Sequence, residues 1–278
     1  MPDACKSRVV RRVIALTRYQ CHGLGRYAGR LLLLGMAGLA LALGGVGWDG
    51  QRATVAGMPA DGFGVGGDRT ATLVLLLGEM FSWAWTIGCV AFLLPAALLP
   101  LASSFGVSHT LWLRLTPCSP RELSAARAGR LLATVVAAGV VGGGWAWAAA
   151  AWHGLPWRGM LVPPLGALAH LLLAGAVVLL VGPRARSAVG RALTAFVGLL
   201  TPVVLFLVVA LTGGRGAEPA AWRLWWPYAA PFTPALGDQL RHFGSAALLG
   251  LSLIGLSLVI PCGRVVWASP LTKKEMSE

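Results

Sequence analysis

Residues 110–132 read TLWLRLTPCSPRELSAARAGRLL, a polar interruption between two apolar stretches, and the architecture turns on how it is read. Its second half carries a helix start. Ser119 can cap, Pro120 suits the first helical position, and Glu122, three residues past the cap, can reach back to the cap's amide. A helix is therefore predicted from Pro120. In the first half Leu111, Leu113 and Leu115 alternate with Trp112, Arg114 and Thr116 before Pro117. That pattern fits a short strand and a single interfacial turn equally.

Working outward, the composition is that of a chain dissolved in a bilayer. Of 278 residues 56% are hydrophobic and 12% charged, which predicts a polytopic all-α membrane protein, a single transmembrane domain over 1–278. The net charge of +13 could suggest nucleic acid, but no recognition motif accompanies it and the basic residues cluster beside apolar spans. No nucleic-acid partner is expected. None of the five cysteines (Cys5, Cys21, Cys89, Cys118, Cys262) falls in a predicted outer segment, so no disulfide framework is implied, and their spacing makes no zinc pattern.

In chain order, residues 5–27 place Val10, Val13, Ile14, Thr17, Cys21 and Leu24 at helical spacing, with Arg8, Arg11, Arg12 and Arg18 toward the other side. A basic amphipathic helix on the inner membrane face is predicted, the alternative being a plain basic tail. Six spans follow, at about 31–48, 72–102, 131–152, 159–181, 193–212 and 244–262. The basic lead before the first span is longer than the n-region of a typical secretory signal. Residues 49–70 form a Gly-rich outer loop; Gly62, Gly64 and Gly67 there match a dinucleotide fingerprint in spacing but lack the strand before and helix after it. Pro95 and Pro100 should bend the inner end of the second span, and Pro202 should kink the fifth. Residues 213–243, with Trp222, Trp225 and Trp226 ahead of Pro227, Pro231 and Pro234, suit a broken or re-entrant outer element or an aromatic belt. Inner segments hold 17 of the 23 Lys and Arg and outer segments 6, which puts both termini in the cytoplasm.

Within this frame Thr110, Leu111, Leu113, Leu115, Pro117, Ser119 and the run Arg121, Glu122, Leu123, followed by an Arg-bearing helix that turns apolar, resemble the cytoplasmic coupling segment of type-2 ABC exporter permeases. That family usually has an acid and a glycine just before the Thr, where this chain has Val107, Ser108 and His109. The resemblance implies a bacterial inner-membrane permease subunit whose segment 110–130 docks a separate ABC ATPase, in a pore shared with a second copy or a homologous permease. Leu111, Leu113 and Leu115 would then form a buried ridge and Arg114, Arg121 and Glu122 the polar contacts, with Pro117 and Ser119 in the same coupling segment. ATP and Mg would belong to the ATPase. A solvated inner face is the alternative for those charges.

The chain has no phosphate loop of its own, and no Lys lies between residues 7 and 272 to serve one. No catalytic residue, cofactor or metal is assigned to it, and it is expected not to be an enzyme alone. Glu79 and His170 fall inside predicted spans, where ionisable groups are functional candidates by default. With Trp225 and Trp226 they are the candidate transport-pathway residues, for a lipidic, peptidic or amphipathic cargo. Hydrogen bonding to a neighbouring helix is the plainer role for either. An assembly or maturation subunit of exporter architecture and an intramembrane enzyme using Glu79 and His170 are the alternative functions.

Overall fold

The computed structural model describes residues 2–21, 38, 44–49, 53–55, 57–59, 68–88, 98, 119–184, 187–212 and 236–260. Helix α1 spans Pro2–Cys21, strands β1 to β3 span Val46–Trp48, Ala53–Val55 and Met58–Pro59, and α2 spans Arg69–Gly88. Helices α3 (Pro120–His153), α4 (Trp157–Met160) and α5 (Val162–Val181) follow, then a 3-10 turn at Gly182–Arg184, α6 (Ala188–Thr212) and α7 (Leu236–Val259). The chain is mostly helical. Two of its helical segments, Arg121–His153 and Trp157–Val181, are long and apolar enough to cross a membrane.

Helix α3 is continuous over 34 residues, about 51 Å at 1.5 Å per residue. It ends at Gly154, whose φ of 64° is left-handed, and the N–H groups of Gly154 and Leu155 both reach the Ala150 carbonyl. That closure uses a conformation glycine adopts without strain. Pro156 then starts the short turn of α4, and Pro163 and Pro164 open α5 at positions where a helix needs no N–H.

Helix α5 is the hub. It is apolar on every side and buried on nearly every side, as expected of a helix with no polar face. Helices α3, α6 and α7 all pack on it, and α2 touches it. The closest approaches fall at glycines. A Cβ on Gly198 of α6 would overlap Val178 Cγ2 and sit 3.1 Å from the Ala174 carbonyl oxygen. One on Gly250 of α7 would sit 3.4 Å from the Leu172 backbone, and one on Gly175 of α5 would overlap the Leu131 side chain. Three apolar clusters result among the described residues, the smallest joining Val162 and Ala169 of α5 to Phe243 of α7. Of the larger two, one joins Leu131, Leu171, Val178, Leu199 and Ile254 toward the α1 end; the other joins Leu77, Phe81, Trp145, Ala149 and Met160 toward the strands, with the Phe81 and Trp145 rings 4.8 Å apart.

Three expectations change. The first span was predicted to run to Trp48, but Val46–Trp48 is a strand paired antiparallel with Ala53–Val55, which pairs in turn with Met58–Pro59. The predicted outer loop therefore holds a small sheet. Gly44 and Gly45 weaken the helix just before it, Val46 and Trp48 favour extended backbone, and Gly57 at φ 78° turns the second hairpin. Helix α6 starts at Ala188 rather than at 193, because the Ser187 hydroxyl accepts from the Gly190 N–H at 2.9 Å and caps it. Helix α7 starts at Leu236, inside the predicted broken outer element, since no proline follows Pro234 there and Leu236, Leu240 and Phe243 recur at helical spacing. The expected inner helix at 5–27 is seen as Pro2–Cys21, with 22–27 outside the described residues. The bends at Pro95 and Pro100, and Trp222, Trp225 and Trp226, also lie outside them.

Replacing Gly198 with alanine should lower the thermal midpoint in detergent, by about 1–3 kcal/mol of stability, because rigid Val178 and backbone oppose the new methyl. Gly144→Ala, which meets nothing within 4 Å, should leave the midpoint unchanged or raise it. Thermal unfolding of the two variants side by side checks the pair.

Candidate functional site

The base of α3 is built from its cap upward. Ser119 has extended backbone (φ −73°, ψ 150°), its Oγ accepts from the Glu122 N–H at 3.2 Å, and its own N–H donates to Glu122 Oε2 at 2.8 Å. Pro120 occupies the first turn. This is the reciprocal cap the sequence predicts, and it fixes where the helix starts to within one residue. The carboxylate also lies at the positive end of the helix dipole.

The cap separates two residues that the sequence groups together. Glu122 is 7% exposed and its carboxylate is committed to the cap, whereas Arg121 is exposed. Ser124 and Arg127 are buried as well. The base of α3 is thus largely enclosed by protein, with Arg121 as its outward cation. Leu111, Leu113, Arg114, Leu115 and Pro117 lie outside the described residues.

What encloses the base is partly α1. Leu16 and Gln20 are buried, and Thr17 lies so close to Gly129 that a Cβ there would sit 2.9 Å from Thr17 Oγ1. Arg130 Nη1 donates to the Gln20 backbone carbonyl at 2.7 Å. Gln20 is in the last turn of α1, where carbonyls have no partner within their own helix, so an arginine from α3 caps the carboxyl end of α1. The same arginine's carbonyl accepts from the Thr134 hydroxyl at 2.9 Å. Not everything at the junction is satisfied. Neither Nε2 nor Oε1 of the Gln20 side chain has a hydrogen-bond partner among the described residues, at a cost of about 1–3 kcal/mol for each unmet group. Burial pushes the Cys21 thiol pKa up, and the Arg130 guanidinium partly opposes it.

This junction is what the sequence reading missed. A signal was present in Ala125, Ala126, Ala128 and Gly129, a run of small residues beside arginines, which permits close helix contact but does not name the partner. Away from α3, Arg11, Arg12 and Arg18 of α1 are exposed, as are Val10 and Ile14; Arg8 is in the helix, its side chain outside the described set.

The pathway candidates are placed unequally. His170 is 5% exposed in α5, and its Nε2 lies 2.9 Å from the Leu199 carbonyl of α6. A carbonyl can only accept, so Nε2 carries the proton. Leu199 follows Gly198, whose carbonyl loses its usual donor because Pro202 has no N–H. His170 therefore ties α5 to α6 at the place where Pro202 weakens the ladder. Glu79 is on α2, which touches α5, but its side chain is outside the described residues, as are Trp225 and Trp226. Among the described residues no group of three His, Cys, Asp or Glu could hold a metal.

Comparison with protein-family models, with curated proteins and with solved structures finds no match. The functional reading therefore rests on the chain's own residues.

Gly129→Leu should lift α1 from α3, since Thr17 leaves no room for the side chain. The raised Cys21 pKa means little thiolate at pH 8, so native Cys21 should alkylate slowly there and faster as pH rises. In Gly129→Leu the rate at pH 8 should increase, because undocking removes the burial that raises the thiol pKa. Mass spectrometry of Cys21 after timed alkylation reads the difference.

Proposed function

We propose that this chain is the membrane-spanning permease subunit of an ATP-driven exporter, six-spanning with both ends cytoplasmic, and that the base of α3 is where a separate ATPase grips it. The observation that carries the reading is the continuity of α3. A capped, polar, partly enclosed base and an apolar shaft belong to one 34-residue helix. Only about 20 of those residues are needed to cross a bilayer. The remaining turns extend as a rigid lever, so force on the base moves the shaft without a hinge between them.

The ends of the shaft support this placement. From Arg130 to Trp152 is about 33 Å along the helix, against about 30 Å for a hydrocarbon core. Trp147, Trp152 and Trp157 are exposed near the upper end, and the Arg158 guanidinium carbon lies 6.0 Å from the Trp157 ring centre. Exposed tryptophans with an arginine are characteristic of a membrane–water boundary. The lower end carries the arginines of α1 and of the α3 base.

In this reading ATP and Mg act on the partner ATPase, and a second copy or a related permease completes the pore. Binding of ATP draws two ATPases together, and each moves one lever. Arg121 makes a polar contact with the ATPase, and Glu122 preserves the lever's shape through its cap. The cargo is lipidic, peptidic or amphipathic, moving along an apolar wall.

Affinity purification of the tagged chain from its native membrane in mild detergent should recover an ATP-binding subunit in near-equal amount; recovery without one would overturn the reading. In the purified complex, Arg121→Glu should lower cargo-coupled ATPase activity at least tenfold with no change in thermal midpoint. Ser119→Ala should instead cost about 1 kcal/mol of stability, read as a lower midpoint.

A further inference from the structure

Helix α1 presents more than one face, and their relative angles are informative. At 100° per residue, the docked positions Val13, Leu16, Thr17 and Gln20 centre about 90° from the midpoint of exposed Val10 and Ile14. A helix lying along a membrane surface against an upright helix needs such a right angle: one side to the protein, the next to lipid. Continuing round by about 70° reaches Arg11 and Arg18, both exposed, which places them at the lateral edge of the apolar stripe. Arg12, also exposed, lies about 180° from the stripe. The arginines are therefore not equivalent.

Building on the membrane reading above, we propose that α1 is a strap that binds anionic phospholipid, with Val10 and Ile14 among the acyl chains, Arg11 and Arg18 on the phosphate groups, and Arg12 turned to the cytoplasm. Charge complementarity selects the occupant: the described side chains of α1, from Val9 to Cys21, include three arginines and no carboxylate. Level fixes it further. Helix α1 docks on Gly129 and Arg130, at the lower end of the apolar shaft of α3, where headgroups would lie. Long cationic side chains at that depth reach phosphates while their stems stay on apolar surface.

The strap also has reason to be sensitive to its lipid. Its attachment to α3 leaves the Gln20 carboxamide buried and without a hydrogen-bond partner among the described residues. That unmet group is a polar cost inside the junction, so lipid contacts weigh in the balance between docked and released. Because α1 grips the base of the α3 lever, anionic lipid would set how firmly that base is held.

Amide hydrogen exchange over residues 9–21, on the full chain in nanodiscs of phosphatidylcholine alone or mixed with phosphatidylglycerol, tests this. Two arginines at about fivefold each predict exchange roughly twenty to thirty times slower in the anionic mixture. Arg11→Gln combined with Arg18→Gln should abolish that difference, whereas Arg12→Gln should keep it, and high salt should erase it in the native chain. Equal exchange in both lipids overturns the proposal. So does an Arg12→Gln effect as large as the double variant's, or protection that appears only when an ATPase subunit is added. Alkaline carbonate extraction of native membranes separates the two levels: a chain released by carbonate overturns the membrane reading itself, and a retained chain with lipid-independent exchange overturns only the strap.

Discussion

Backbone closeness at a few glycines is the constraint on which the bundle depends. Helix α5 has no polar face to orient it, and hydrophobic burial by itself does not choose among its sides. Steric fit does. Gly198 receives Val178, Gly175 receives Leu131, and Gly250 lies against the backbone of Leu172, so α6, α3 and α7 each have one depth and one azimuth at which they can reach α5. In lipid, where apolar surface gains little from leaving its surroundings, such dispersion contact is the main source of helix association. The His170 bond to the Leu199 carbonyl adds direction at one of these crossings, next to Gly198.

The same geometry connects the two ends of the molecule. Leu131 fills the space beside Gly175 one residue above Arg130, and Arg130 caps α1. A displacement of the α3 base is therefore felt first at the α5 crossing and at the strap together. Higher up, Gly142 packs on Pro164 and Trp145 on Phe81, which passes motion of the shaft to α5 and α2 near the small sheet. Helix α3 thus meets α1 at its base, α5 along its shaft and α2 near its upper end, so its contacts are spread along its length.

Much of this was legible where the chemistry is local. The Ser119–Glu122 cap, the continuation of that helix into the apolar shaft and the short connection between the spans at 131–152 and 159–181 follow from short-range signals that no distant contact overrides. The strands at 46–59 were not legible, because a Val-Gly-Trp triplet after an apolar run resembles the end of a span, and the pairing that makes it a strand comes from residues five to nine positions on. The α1–α3 junction was hidden for a related reason. Gln20 and Arg130 are 110 residues apart, and a glycine in a glycine-rich chain does not advertise which neighbour it admits. The amphipathic pattern of α1 was visible, but the pattern gave one apolar face where the structure divides that face between residues packed toward α3 and the exposed Val10 and Ile14.

That division bears on how firmly each part is held. Crossings at α5 combine close packing with nearly complete burial, and losing any one of them creates overlap or a void that the bundle cannot absorb cheaply. At the α1 junction a charge-assisted bond at 2.7 Å, worth about 1.5–3 kcal/mol, is set against two unmet carboxamide atoms that cost about 1–3 kcal/mol each. Burial of Leu16 and the close Thr17–Gly129 contact add to that bond, so packing holds the junction around a polar cost at its centre.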